Sequence, residues 1–283
     1  MGLPEITQFQ QLVDQALAED LGSGDVTTEA LVPEIQQDKA SIIAKARGVI
    51  AGVDIAKQVF LKVDLKLKID ILIEDGTEVK AADVISRIEG KTSSILKAER
   101  VALNFLQHLS GIASETARYV EAVKGLPVNI TDTRKTTPGL RALEKYAVQI
   151  GGGKNHRMHL GDAILIKDNH LAALRNQGLS IKEVVARARQ KSPPKLKIEI
   201  EVKTKKEAIE AAESGADIIM LDNMNLEDMR QAVQSIKGRA LIEASGGINL
   251  EKVRAVAETG VDLISIGALT HSSKALDISL ELD

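Results

Sequence analysis

The chain has 283 residues, 44% of them hydrophobic, and a formal net charge of −3, enough apolar material for a sizeable core in one or two domains. It has no cysteine, which excludes disulfides, thiolate metal sites and a cysteine nucleophile and is compatible with a cytoplasmic protein. Three Phe, two Tyr and no Trp on a mildly acidic background exclude a base-stacking platform and a uniformly basic surface, so nucleic acid is not an expected partner.

The opening stretch, MGLPEITQFQQLVDQ, shows neither a basic nor a long apolar region. No run in the chain reaches membrane-spanning length, so an untargeted protein with no membrane partner is expected. Within residues 7–20, Phe9, Leu12, Val13, Ala16 and Leu17 fall at helical spacing and Gly22 follows, predicting an amphipathic helix. KASIIAKARGVIAG and KLKIDILIEDG read as strands, the second alternating Leu65, Leu67, Ile69, Ile71 and Ile73 with polar neighbours. VDIAKQVFLKV between them has helical spacing, and GTEVKAADVISRIEG reads as a strand and turn region. Together these predict an antiparallel sheet with helices on one side.

From Thr92 a long helical pattern continues to about residue 125, with a break or kink expected near Gly111. Arg100, next to Glu99 in this pattern, reads from spacing alone as a solvated arginine. After Pro127 the pattern changes. VNITDT, AILIK, KIEIEV, DIIMLD, ALIEAS and DLISIG are short apolar runs, and the last four alternate with helical segments at roughly twenty-residue intervals. Repeated units of this kind require a parallel sheet covered on both faces. They are too few for a full eight-stranded barrel, so a shortened, irregular α/β barrel is expected.

In parallel α/β folds chemistry lies at the carboxyl ends of the strands. Those ends carry Arg134 and Lys135, Lys167 and Asp168, Glu201, Asp222, the run Ser245, Gly246 and Gly247, and Gly267. With Arg141, Lys154, His156 and Arg157, the stretch 131–170 gathers cations suited to a small, highly anionic ligand. Glycines 151–153 suggest close ligand approach before Lys154. Glu201 and Asp222 end successive strands and are candidates for sugar hydroxyls or Mg²⁺. The glycines of SGGI and SIGA could present backbone N–H groups to a terminal phosphate. His156, beside Arg157, is the leading ligand histidine, while His108 and His159 read as structural. Lys167 also leaves open a Schiff-base mechanism, and an anion-binding protein without turnover is a further alternative.

DTRKTTPGLRALEKYAV, GGGKNHRMHLGDAILIKDNH, IEIEV, MLDNM, EASGGI and SIGALTHS, in this order, resemble the quinolinate phosphoribosyltransferase family over essentially the whole chain. The resemblance implies an N-terminal open-faced α/β sandwich, residues 1–112 with 271–283 returning to it, and a barrel over 113–270. It implies a homodimer using Mg²⁺, quinolinate and phosphoribosyl pyrophosphate. Arg134, His156, Arg157 and Lys167 would bind quinolinate, with Arg100 reaching the pocket from the partner subunit. Lys135, Glu201, Asp222, Ser245, Gly246, Gly247, Gly267 and His271 would serve the ribose, metal and phosphates. Lys135, Lys167, Glu201 and Asp222 are the implied catalytic residues. A molybdenum-transport-associated paralogue on the same scaffold is the near alternative.

Overall fold

The computed structural model describes residues 6–176, 178–236 and 238–283. In chain order the first elements are α1 (Ile6–Leu21), α2 (Val26–Leu31), β1 (Gln37–Ala44), β2 (Gly48–Val49) and α3 (Val53–Val63). β3 (Lys68–Ile71), β4 (Glu78–Val79), β5 (Val84–Lys91) and α4 (Thr92–Ala122) follow. Then come β6 (Asn129–Thr131), α5 (Arg141–Ile150), β7 (Ile164–Ile166), α6 (Asp168–Arg175), α7 (Ile181–Lys191) and β8 (Ile198–Val202). The last are α8 (Lys205–Glu213), β9 (Ile218–Asp222), α9 (Leu226–Ile236), β10 (Leu241–Ser245), α10 (Val253–Ala257), β11 (Leu263–Ser265), α11 (Ala268–His271) and β12 (Ile278–Leu282).

The chain divides into two units. The first comprises residues 1–117, 137–152 and 272–283, the second 118–136 and 153–271. Segment 137–152, which holds α5, therefore departs from the expected division, in which it lay inside the barrel domain.

In the first unit an antiparallel sheet has the order β12-β1-β5-β3. β12 pairs with β1 from Ala40↔Leu282 to Ala44↔Ile278. Its helices are amphipathic in the expected way: Phe9, Val13 and Leu17 of α1 and Ile55, Val59 and Phe60 of α3 are buried. Alternation in the third strand begins one step later than its sequence suggests. Leu67 is buried, but Leu65 is 86% exposed and precedes β3.

Gly111 does not break α4, which is continuous over 31 residues. A Cβ there would collide with the backbone carbonyl of Lys274 and meet Ala275 Cα at 3.0 Å. The glycine admits a neighbouring chain, and the helix loses only the propensity difference of about 1 kcal/mol relative to alanine. Gly151 likewise faces Ala113 and Thr116 at the end of α5. It is a packing residue of the first unit, not part of a ligand loop.

The second unit contains a parallel sheet in the order β6-β11-β10-β9-β8-β7. All six apolar runs identified after Pro127 form its strands, because Val, Ile and Leu fill a surface covered from both sides. The irregularity lies between β6 and β7. There Lys154 bridges to Thr131 and its amide donates to Ile130 O at 2.8 Å, without extending into a strand.

Candidate active site

The period of two along each strand creates the site. Ile198, Ile200 and Val202 of β8, Ile219 and Leu221 of β9, and Ile242 and Ala244 of β10 are buried in the apolar layer. The alternate positions, among them Leu165, Lys167, Glu201, Met220, Asp222, Glu243 and Ser245, line a cavity of about 480 Å³. Thr133, Arg134 and Lys135 after β6, the pair His156 and Arg157, Asp168 and Asn169 of α6, and Ser265 of β11 complete it. Residues from all six strands or their ends face one cavity, as in a curled sheet.

The cavity has a cationic and an anionic side. Arg134, Lys135, Arg157 and Lys167 all line it. Arg157 Nη1 donates to Ala163 O at 3.0 Å, and its guanidinium is pulled below its ordinary range by burial and then by the neighbouring Arg134. Two crowded cations in a partly dry pocket need an anion. On the other side, burial and then the charges of Asp222 and Asp168 push Glu201 above the usual carboxylate range, against Lys167 and Lys203. Glu201 and Asp222 therefore form a like-charged pair at the ends of adjacent strands.

Beneath the cations lies a cluster that reading the strand ends overlooked. Glu199 and Glu243 are 1% and 0% exposed. His156 Nε2 lies 3.0 Å from Glu199 Oε2 and 3.6 Å from Glu243 Oε2. The Arg157 amide donates to His156 Nδ1 at 2.9 Å. Burial disfavours a charged ring, while the two carboxylates push its pKa up to about 10. A ring charged at neutral pH would carry a proton on each nitrogen, whereas the amide contact at 2.9 Å requires a lone pair on Nδ1; that geometry outweighs the upward push of the carboxylates and sets the ring as the neutral Nε2–H tautomer. Although the three residues lie close enough to share an ion, this donated proton and the adjacent Arg157 disfavour a cation there. The available signal was a glutamate in the interior of each of two mainly apolar strands, Glu199 in IEIEV and Glu243 in LIEAS.

The expected phosphate side is partly assembled. Ser245 lines the cavity. A Cβ on Gly267 would fall 3.1 Å from His271 Nε2 and 3.2 Å from Lys135 Cδ, so these three meet. Thr270 Oγ1 donates to Lys135 O at 2.7 Å. Gly246 (φ +92°) and Gly247 (φ +60°) adopt left-handed backbone, and a Cβ on Gly246 would sit 2.5 Å from the Asn223 side chain. Arg141 and Lys154 do not line the cavity. Arg100 lies in the first unit, its side chain 57% exposed and 4.0 Å from Glu99. His170 accepts from the Lys167 amide at 2.9 Å, and His108 lies 3.0 Å from buried Glu144, so both are held in structural contacts.

Two family models cover the chain: the N-terminal domain of quinolinate phosphoribosyl transferase over residues 25–110 and its C-terminal domain over 112–281. A probable nicotinate-nucleotide pyrophosphorylase [carboxylating] of Bacillus subtilis is 42% identical over 97% of this chain and 93% of its own. A protein of the same description from Synechocystis is 42% identical over 99% and 94%. NadC from Streptococcus pyogenes superposes with a TM-score of 0.95 at 44% identity, covering 100% of this chain and 99% of that one. The match runs through both units and through every strand that carries the cavity; the chain belongs to the quinolinate phosphoribosyl transferase family.

Proposed function

We propose that the cavity joins quinolinate to phosphoribosyl pyrophosphate, giving nicotinate mononucleotide, pyrophosphate and carbon dioxide, the reaction of NAD biosynthesis that the relatives' names describe. The observation that carries this reading is the division of one cavity into a cationic side and a carboxylate pair. Arg134, Arg157 and Lys167 bind the two quinolinate carboxylates. Lys135, Ser245, Gly246, Gly247, Gly267 and His271 receive the phosphates, and Glu201 and Asp222 face the ribose hydroxyls.

The Glu201–Asp222 pair also fits Mg²⁺: it offers hard oxygen donors only, and its mutual repulsion would be relieved by a divalent cation. When bound there, Mg²⁺ would supply positive charge for the departing pyrophosphate. Lys135 adds fixed charge on the same side. As the bond from ribose C1 to oxygen breaks, its electron pair leaves with pyrophosphate, and the quinolinate nitrogen lone pair forms the new bond to C1. The pyridinium nitrogen then stabilises the electron pair left on the adjacent ring carbon as carbon dioxide departs, and that carbon takes a proton. Arg134 and Arg157 orient the acid throughout, and no covalent enzyme intermediate forms.

Incubation with quinolinate, phosphoribosyl pyrophosphate and Mg²⁺ should give nicotinate mononucleotide, and nicotinate should be a far poorer acceptor because one carboxylate leaves cationic charge uncompensated. Comparable turnover of both acids would overturn the assignment. The exposed Arg100 completes the site of a second copy in a two-fold dimer. Inactive Arg100→Ala and Lys135→Ala proteins should then regain about a quarter of wild-type activity after random subunit exchange, since one site in each mixed dimer is intact. A mixture that exchanges yet stays inactive rules this out.

A further inference from the structure

Two buried carboxylates beneath a pocket for a dianion would repel the ligand unless they serve something else. Glu243 lines the cavity and Glu199 lies behind it; they come from strands that are not neighbours, β10 and β8, and meet at one imidazole. The other nitrogen of that ring is occupied by the Arg157 amide. Both nitrogens of His156 are thus engaged within the protein, which argues against the ligand role expected from its position beside Arg157. Glu243 is the telling member: it is 0% exposed, and neither carboxylate oxygen has a hydrogen-bond partner among the described residues. A core carboxylate left this way costs several kcal/mol unless nearby positive charge offsets it. The neutral His156 ring, 3.6 Å away, brings no charge of its own, so the positive charge in the same pocket is that of Arg134 and Arg157.

We infer that Glu199 and Glu243 are positioning residues of the quinolinate pocket, which act through His156, a bridge and not a substrate ligand, to fix the backbone of Arg157 and to balance the charge of the arginine pair. The inference rests on the reading of Arg157 as a carboxylate ligand. Glu199 holds the Nε2 proton and thereby sets the tautomer, Nδ1 accepts from the Arg157 amide, and the guanidinium is aimed by its own contact with Ala163 O. Glu243 supplies a second negative charge beside the same Nε2 and keeps the two arginines together when the pocket is empty.

The test uses the intact enzyme. In ¹⁵N spectra of histidine-labelled protein at neutral pH, the His156 signals, assigned by their loss in His156→Asn, should show an unprotonated Nδ1 and a protonated Nε2. They should stay so when quinolinate saturates the site. A doubly protonated ring, or a ring whose nitrogens change partner on quinolinate binding, overturns the bridge. Glu243→Gln and Glu199→Gln keep the shape of each side chain and should raise KM for quinolinate by about tenfold or more, as loss of a charged partner does. KM for phosphoribosyl pyrophosphate should remain within about twofold. Equal rises in both KM values accompanied by a lower Tm would indicate a purely structural role and overturn the positioning role. His156→Asn can still accept from the Arg157 amide, so it should lose less quinolinate affinity than His156→Ala; equal losses count against the bridge. Arg157→Ala separates the two readings. If it leaves quinolinate affinity intact, the ligand assignment of Arg157 fails, whereas the spectra test the state of the ring independently.

Discussion

Asp75, half-buried in the first unit, and Glu243, fully buried in the second, are both acids turned inward, and their surroundings differ completely. Asp75 accepts from the Gly52 and Val53 amides at the start of α3 and from Tyr146 Oη at 2.6 Å. Ser110 in the same unit is equally well satisfied, accepting from the Ala51 amide and donating to Ala51 O. Glu243 has neither oxygen hydrogen-bonded, and Ser265 Oγ, on the next strand, is also unpartnered among the described residues. Where polar groups only hold a fold, they close on one another; where they serve a ligand, they are left short of partners and balanced by charge. The same contrast runs through the glycines. Gly111 and Gly151 admit a neighbouring backbone in the first unit, whereas Gly246 and Gly247 follow directly on Ser245, which ends β10 and lines the cavity, in the second.

The contrast predicts that removing a site cation harms activity and spares the fold. Arg157→Ala should reduce quinolinate-dependent activity by about 100-fold or more, the cost of losing charged hydrogen bonds worth about 3 kcal/mol. Circular dichroism should be unchanged, because burial and Arg134 already oppose this guanidinium's charge in the empty pocket. An unchanged KM for quinolinate would remove Arg157 from the site.

Why the strands were legible and the floor of the site was not follows from the same alternation. Short runs rich in Ile, Val and Leu read as covered strands, so IEIEV and LIEAS stand out in the sequence and the polar residues near their carboxyl ends are site candidates. Glu201 and Ser245 were found in this way. Glu199 and Glu243, two positions earlier on the same face, were not: a glutamate within an apolar run carries no local sign of whether it meets water or a buried histidine. Gly111 illustrates a second limit. Helix propensity suggested a kink, but its real constraint is the backbone at Lys274 and Ala275, more than 160 residues away in sequence. Leu65 shows the reverse error, since alternation extended one step beyond the strand that produced it.

In the first unit the expected effects are on stability. Gly111→Ala drives a methyl group into the Lys274 carbonyl, in a segment tied back to α4 by the Leu276 amide, which donates to Gln107 O at 2.9 Å. We expect a loss of about 3 kcal/mol, typical of overpacking, visible as a lower urea midpoint. An unchanged midpoint would show that the segment at 274–275 yields freely. Asp75→Ala should cost about 2 kcal/mol by leaving the amides at the start of α3 and the Tyr146 hydroxyl without their acceptor. In Asp75→Asn the side-chain oxygen still accepts, so about half of that loss should be recovered. Equal losses in the two variants would mean that charge, not hydrogen bonding, is what Asp75 provides.

The smallest effect is the sharpest test of the contrast, because it has the opposite sign. Burial, Asp222 and Asp168 raise the pKa of Glu201 in the folded protein. A carboxyl group whose folded pKa lies above its unfolded value favours the folded state when protonated, and this contribution is lost as pH rises through the carboxylate range. At neutral pH, without metal, ionised Glu201 therefore opposes folding. Glu201→Gln removes the charge and keeps the shape, so it should raise the Tm in EDTA by about 1–3 °C while abolishing most use of phosphoribosyl pyrophosphate. The advantage should shrink as pH falls through the raised folded pKa and be gone below the ordinary carboxylate range, where the wild-type carboxyl is protonated in both states and the two proteins carry the same charge at this position. Adding Mg²⁺ with phosphoribosyl pyrophosphate should reverse it, since only the carboxylate gains from a bound cation. A Tm in EDTA that falls on substitution at neutral pH would place Glu201 with Asp75, as an acid that the fold needs, and would break the division between the two regions at the residue where it is drawn most finely.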